Sequence, residues 1–203
     1  MKISYGITVR DELEEIKKLV SLLQEHKRKQ DEIVILFDAR GNIDEMSDYL
    51  DSLPHLVQYE EFQGHFGNWK NHLNSLCTGD YIVQLDADEL ISKELIIALP
   101  FLLEANPSID VFWVSRINMV EGITEEWIKK WNWRVNEKGW INFPDKQNRI
   151  YKNTSKIRWA GKVHEKLTGY TTYSFLPEEE QYCLLHPKKL EKQIQQNTFY
   201  ETL

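Results

Sequence analysis

Three observations predict an α/β chain built on a mostly parallel sheet flanked by helices. Short apolar runs at Lys2 to Val9, Ile33 to Phe37 and Tyr81 to Leu85 alternate with segments whose apolar residues recur at helical spacing. These runs are rich in β-branched residues and almost continuously hydrophobic, as strands covered on both faces are. Acidic residues gather just beyond their C-terminal ends, at Asp38 and at Asp86, Asp88 and Glu89. That is where open α/β sheets place their ligands.

The first strand opens the chain at Lys2 to Val9. Asp11 and Glu14 follow at the spacing of a capping box, with Asp11 as cap, and Leu13, Ile16, Leu19, Val20 and Leu23 form one helical face. The second strand ends at Asp38. Ile43, Met46, Leu50 and Leu53 mark a second helix that stops before Pro54, and Leu56 to Phe62 reads as a third strand. Trp69, Leu73, Leu76 and Cys77 give a third helix, closed by Gly79. The strand from Tyr81 follows a Gly-Asp turn. Ser92 caps the next helix, whose face includes Leu95, Ile96 and Leu99 and which Pro100 is expected to kink or restart. Val111 to Met119 is a further strand. The order is that of a Rossmann-like sheet.

From Glu121 onward the character changes. Trp127, Trp131, Trp133, Trp140 and Trp159 stand among charged residues. Short strands are expected at Arg149 to Lys152, Lys156 to Trp159, His164 to Leu167 and Tyr182 to Leu185, with an amphipathic helix from Leu190 to Tyr200. This half has no hydrophobic face of its own. A single domain over 1–203 is therefore expected, with 1–120 as its first part and 121–203 as its second.

The chain has 203 residues, enough for one domain with its own core. Its formal net charge of -7 argues against a sequence-independent grip on nucleic acid. It does not argue against a nucleotide held through a cation and a few basic residues. Cys77 and Cys183 have no ligand spacing and read as reduced core thiols. The first strand leaves no room for a signal peptide, and the apolar run Leu95 to Leu103 is too short for a transmembrane segment. A soluble, cytoplasmic protein is expected.

Asp86, Asp88 and Glu89 repel one another, and a fold that gathers such carboxylates usually supplies a cation. Mn²⁺ or Mg²⁺ suits oxygen ligands and in turn a diphosphate. Taken alone, Asp-x-Asp also reads as a solvated acidic turn.

The surroundings narrow the choice. Phe66-Gly67-Asn68-Trp69-Lys70-Asn71, then Leu76-Cys77-Thr78-Gly79-Asp80-Tyr81-Ile82-Val83, then Leu85-Asp86-Ala87-Asp88-Glu89, resembles the central block of family 2 glycosyltransferases with a GT-A fold. Trp159-Ala160-Gly161-Lys162-Val163-His164-Glu165 resembles the Gly-x-Val-His-Glu block of lipopolysaccharide-type bacterial sugar transferases. Arg149-Ile150-Tyr151-Lys152 resembles the strand before that block.

The resemblance implies a metal-dependent, inverting transfer from a nucleoside diphosphate sugar, with UDP as the favoured nucleotide, to a carbohydrate or other hydroxyl acceptor. Residues 1–120 would bind the donor, and 121–203 would complete the acceptor and catalytic half. Thr8, Arg10, Glu12 and Asp38 match the positions that hold the base and ribose. Asp38 also reads as a turn-forming residue. Lys70 would meet a phosphate or Asp86. Asp86 would contact ribose or metal with Ala87 beside it, Asp88 would ligate the metal directly, and His186 would be a further metal ligand. Glu165 is the candidate base and Asp145 the second, with His164 orienting Glu165 or approaching the phosphate. The tryptophans from Trp127 to Trp140 would form a stacking wall for a sugar acceptor, or else core or a homo-oligomer contact. Donor hydrolysis is compatible with so small a core. The alternative is a noncatalytic nucleotide-sugar-binding module.

Overall fold

The computed structural model describes residues 1–40 and 44–201. Four parallel strands form one side of a mixed sheet in the order β3 (Leu56–Glu60), β2 (Glu32–Asp38), β1 (Ile3–Val9), β4 (Tyr81–Asp86). The sheet continues through β7 (Ile141–Lys152), which runs antiparallel to both β4 and β6 (Val111–Glu121). Beyond β6 lie β11 (Leu184–Lys189), parallel to it, and the short β5 (Leu90–Ile91), antiparallel to β11. β10 (Tyr173–Phe175) pairs with the start of β6. A separate two-stranded sheet joins β8 (Arg158–Ala160) and β9 (Lys166–Thr168). The helices are α1 (Leu13–His26), α2 (Asp44–Asp51), α3 (Phe66–Leu76), α4 (Lys93–Ala105), α5 (Glu125–Lys130) and α6 (Leu190–Glu201).

Strand alternation divides the core into two layers. Ile3, Tyr5, Ile7 and Val9 of β1 join Ile33, Ile35 and Phe37 of β2 and Tyr81, Val83 and Leu85 of β4 beneath α1 and α4. Val34, Leu36 and Ile82 face the other way, onto Leu73 of α3 and Cys77 just beyond it, and onto Tyr151, Trp159 and Leu167. Gln84 and Asp86 follow Ile82 on that second face by period two. The α3 layer therefore ends over the C-terminal edge of β4.

Several local expectations are corrected. The Asp11 capping box does not form. α1 starts at Leu13 with Glu12 at the cap and no side-chain cap bond. The Glu12 carboxylate turns back and accepts the N–H groups of Arg10 and Asp11, both at 3.0 Å. α3 stops at Leu76, with extended backbone at Cys77. Gly79 is thus no helix cap; a Cβ there would lie 2.7 Å from both N and Oγ of Ser4, so its role is close approach to β1. α4 runs unbroken through Pro100. The Ser92 cap forms, its hydroxyl accepting from Leu95 N–H at 3.0 Å, and burial of Ile96, Leu99 and Leu103 on either side outweighs the lost backbone bond.

The second half is more regular than expected. β7 extends over twelve residues rather than four, because pairing with β6 carries it through the polar stretch before Arg149. β9 starts at Lys166, since His164 adopts φ 54° in the preceding turn. β11 begins at Leu184 and continues to Lys189, after a 3₁₀ turn at Glu180–Tyr182. β3 stops at Glu60, short of Phe62. α5, β5 and β10 span six, two and three residues, too short to leave a periodic signal. Met46 and Leu50 are buried on α2, while Ile43 lies outside the described residues. No described helix is long and apolar enough to cross a membrane. Cys77 and Cys183 are free and buried, as expected.

Candidate active site

The C-terminal edge of the parallel strands gathers most of the predicted residues. Thr8 and Asp86 are register partners on β1 and β4, and Thr8 Oγ1 donates to Asp86 Oδ1 at 2.9 Å. The Ala87 N–H donates to the Thr8 carbonyl at 2.9 Å, which fixes the turn into Asp88. Asp86 Oδ1 also accepts from Gln84 Nε2 at 3.2 Å, and Oδ2 accepts from Arg149 at 2.6 Å. Both oxygens of Asp86 are therefore engaged within the protein. Burial pushes its pKa up, but Arg149, Lys70 and the Thr8 hydroxyl outweigh that and hold it well below the usual carboxylate range.

Arg149 is the member that sequence reasoning missed. It lies within the apolar strand Arg149-Ile150-Tyr151, almost fully buried, and reaches Gln84, Asp86 and Glu89, each at 2.6 Å. Glu89 is wholly buried; it accepts from Arg149 and from Arg116 at 2.9 Å, and its second oxygen accepts the Asp86 N–H at 3.2 Å. Arg116 continues to Asp145 through Nε at 2.9 Å and its terminal amino group at 2.8 Å. Asp86, Arg149, Glu89, Arg116 and Asp145 thus alternate in sign across β4, β7 and β6. A lone arginine in an apolar strand was the available signal, because a buried guanidinium requires buried acids.

Asp88 and His186 meet on the β11 side. His186 Nε2 lies 3.5 Å from Asp88 Oδ2, and its Nδ1 lies 2.7 Å from Asn118 Oδ1. Asn118 uses its amide nitrogen to donate to Asp145 Oδ2 at 2.9 Å, so its oxygen faces the imidazole. An acceptor there places the hydrogen on Nδ1 and leaves the Nε2 lone pair toward Asp88. Burial lowers the pKa of His186 despite the carboxylate. Asp88 is held well below its ordinary value: burial raises it, and His186 and Lys188 more than compensate. An oxygen and an imidazole nitrogen this close suit a Mn²⁺-like ion and also accept Mg²⁺. Among the described residues no group of three or more His, Cys, Asp or Glu forms a cage. Asp88 and His186 are the residues at this edge that could hold a cation, which would need its remaining ligands from substrate or water.

Glu165 and Lys70 form an ion pair at 2.6 Å, and Lys70 also stands 4.6 Å over the Trp159 ring. The loop bearing Glu165 is tied to the start of α3, where Gly67 N–H donates to Gly161 O at 3.1 Å and Phe66 N–H to Lys162 O at 2.9 Å. A Cβ at Gly67 would lie 2.7 Å from that Gly161 oxygen, so glycine is what lets the loop dock. His164 sits on the same turn, exposed.

The remaining predicted residues are engaged with neighbouring charges or rings. Asp38 accepts from Arg40 Nε at 2.8 Å, Arg40 NH2 at 2.6 Å and Phe62 N–H at 3.2 Å. Its pKa is lowered, Arg40 outweighing burial. Arg10 pairs with Asp11 at 3.1 Å, and Glu12 Oε1 meets Lys192 of α6 at 3.3 Å. Trp127, Trp131 and Trp133 stack in sequence with centroids 4.6 Å apart, so both neighbours cover Trp131. Trp140 packs on Phe143, and Trp159 on Tyr151.

Residues 4–175 match the sequence profile of Glycosyl transferase family 2. The chain belongs to that family. This family 2 chain also has the fold of S. aureus TarS. It matches TarS 1-349 with a TM-score of 0.61 at 15% identity, over 92% of this chain and 60% of that one. TarS 1-349 in complex with UDP-GlcNAc gives a TM-score of 0.63 at 15% identity, over 93% and 59%. The complex with UDP gives 0.63 at 16%, over 92% and 60%. The chain thus spans about 60% of TarS 1-349. No curated protein matches its sequence.

Proposed function

We propose that this family 2 chain is an inverting glycosyltransferase that takes its sugar from a UDP-sugar, using a divalent cation, and passes it to a hydroxyl acceptor. The carrying observation is the edge where Thr8, Asp86 and Ala87 adjoin the Asp88–His186 pair, with Glu165 on a loop docked to α3. The TarS complexes with UDP and UDP-GlcNAc support the choice of nucleotide through a shared fold.

In this reading, Asp86 and Thr8 hold the nucleoside, with Arg149 fixing the Asp86 rotamer. Asp88 and His186 hold Mn²⁺ or Mg²⁺, which when bound neutralises the departing diphosphate. Glu165 takes the proton of the acceptor hydroxyl as that oxygen forms its bond to the anomeric carbon and the bond to the diphosphate breaks. Glu165 is favoured over Asp145 by its surroundings. Arg116, Asn118 and Gln147 place four donor atoms on Asp145, and its pKa is lowered, with Arg116 outweighing burial. Glu165 pairs with the Lys70 ammonium at 2.6 Å. Lys70 keeps the Glu165 carboxylate aimed until an acceptor enters, and His164 borders the same loop.

Calorimetric titration with nucleotides and nucleotide sugars, with and without Mn²⁺, tests the donor site on the wild type and on Asp88→Ala. UDP and one UDP-sugar should bind with Mn²⁺, and Asp88→Ala should abolish it. Glu165→Gln should keep donor binding while UDP release falls by about 10²–10⁴-fold. A folded wild type that binds none of the panel would overturn the donor site. Full turnover in Glu165→Gln would move the base to Asp145. Donor binding without any UDP release, even in the wild type with a panel of sugars, would favour the noncatalytic module.

A further inference from the structure

Lys188 is buried at the cation position. On β11 it follows His186 by two residues, so both side chains leave the strand on one face. Pairing with β6 fixes both backbones, His186 opposite Asn118 and Lys188 opposite Val120. The Lys188 side chain is only 4% exposed, and its Nζ lies 3.3 Å from Asp88 Oδ2, the oxygen that also faces His186. From the other side, Gln196 of α6 accepts from the same ammonium at 2.5 Å. A buried ammonium needs a counter-charge, and among the described residues Asp88 is its ion-pair partner.

A divalent cation on Asp88 meets this ammonium at the same carboxylate. Two like charges sharing one anion in a buried setting repel more strongly than they would in water. The repulsion is relieved when a second anion arrives, and the diphosphate of the donor is such an anion. We propose that Lys188 makes cation binding conditional on the donor. Without donor its ammonium neutralises Asp88 and weakens cation binding; with donor it transfers to the diphosphate and releases Asp88 to the cation. The order of loading is then built into β11 and held by α6, and a free cation does not accumulate in an empty site. This rests on the assignment of Asp88 and His186 to the cation.

Electron paramagnetic resonance of free Mn²⁺ measures the effect without reference to turnover. Mn²⁺ is titrated into wild type, Lys188→Met, Lys188→Gln and Lys189→Met, each with and without UDP, after thermal melts establish that each is folded. Lys189 is the control, since it carries the same charge but is exposed on the opposite face of β11. Without UDP, Lys188→Met and Lys188→Gln should bind Mn²⁺ at least about tenfold more tightly than wild type, as expected on removing a unit charge a few ångströms away. Lys189→Met should stay within about twofold of wild type, its charge being screened by solvent. UDP should enhance Mn²⁺ binding less in the Lys188 variants than in wild type. If wild type binds Mn²⁺ with UDP but, in the absence of UDP, the Lys188 variants bind Mn²⁺ no more tightly than wild type does, the inference is overturned and the cation site stands. An equal gain in Lys189→Met would also overturn it, reducing the effect to net charge. Absence of Mn²⁺ binding in every folded variant, with or without UDP, would overturn the cation site and the inference together.

Discussion

Arg149 carries more of the site than any acid does. Among the described residues it is the cation that touches both Asp86 and Glu89, at 2.6 Å each, and it is itself almost fully buried. Replacing Arg149 with Met takes the guanidinium from the partly exposed Asp86 and leaves the wholly buried Glu89 with Arg116 as its cation. The expected loss is about 3–5 kcal/mol, the usual result of removing one partner from a buried ion pair. Urea unfolding of Arg149→Met measures it, and a loss under about 1 kcal/mol, as for a surface pair, would refute the assignment. The acids at Asp86 and Asp88 were legible in the chain because they cluster in sequence. Their counter-ions were not, since Arg149, which pairs with Asp86, and Lys188, which pairs with Asp88, come from strands formed far downstream; the resemblance alone places His186 beside Asp88.

At the scale of elements, the contact between the start of α3 and the loop from Gly161 to Glu165 decides where Glu165 stands. The two segments lie almost a hundred residues apart and meet through backbone hydrogen bonds at Phe66 and Gly67. Gly67→Ala would put a methyl group 2.7 Å from the Gly161 oxygen and push the loop away. Such overpacking costs about 1–3 kcal/mol. Because the loop is at the surface, UDP release should fall by at least about tenfold while the melting temperature drops by only a few degrees. Parallel measurement of turnover and melting separates loop displacement from general unfolding; a collapse of melting temperature with no specific loss of turnover in the remaining folded fraction would refute it. The Phe-Gly-Asn-Trp-Lys and Gly-Lys-Val-His-Glu stretches were each readable as motifs. Their docking was not, because hydrogen bonds between backbones leave no mark on side-chain pattern.

For the whole molecule, one sheet joins the two halves of the chain. β4 from the first half pairs with β7 from the second, and β6 pairs with β7 and β11. A fragment of residues 1–120 would leave β4 and β6 without β7, exposing apolar edges. It should show no cooperative thermal transition, and a sharp, reversible one would establish the first half as an independent unit. Acid should also unfold the full chain through its depressed carboxylates. Glu32 is the clearest one away from the site: burial raises its pKa, but Lys2, Ser4 and Thr78 bring it down to about 2 from 4.5. A folded pKa below the unfolded one means that its contribution is complete above about pH 4.5 and is lost as pH falls toward 2. Urea unfolding from pH 7 to 3 should show Glu32→Gln with a shallower decline than wild type over that range. Equal slopes would show that the carboxylate is not stabilised by folding.

Strand and helix order, the buried character of β1, β2 and β4, and the acidic cluster after β4 follow from the sequence by itself. Each is a local consequence of apolar periodicity, turn residues or adjacent charge. Only the tertiary structure decided that β7 runs for twelve residues, that Pro100 stays within α4, and that Glu12 serves the preceding loop instead of an Asp11 capping box. It also decided that Lys188 joins His186 at Asp88, and that Glu165 pairs with Lys70. The physical reason is the same in each case. Long-range pairing and burial supply free energies larger than local propensity, and they bring together charges that no window of sequence contains.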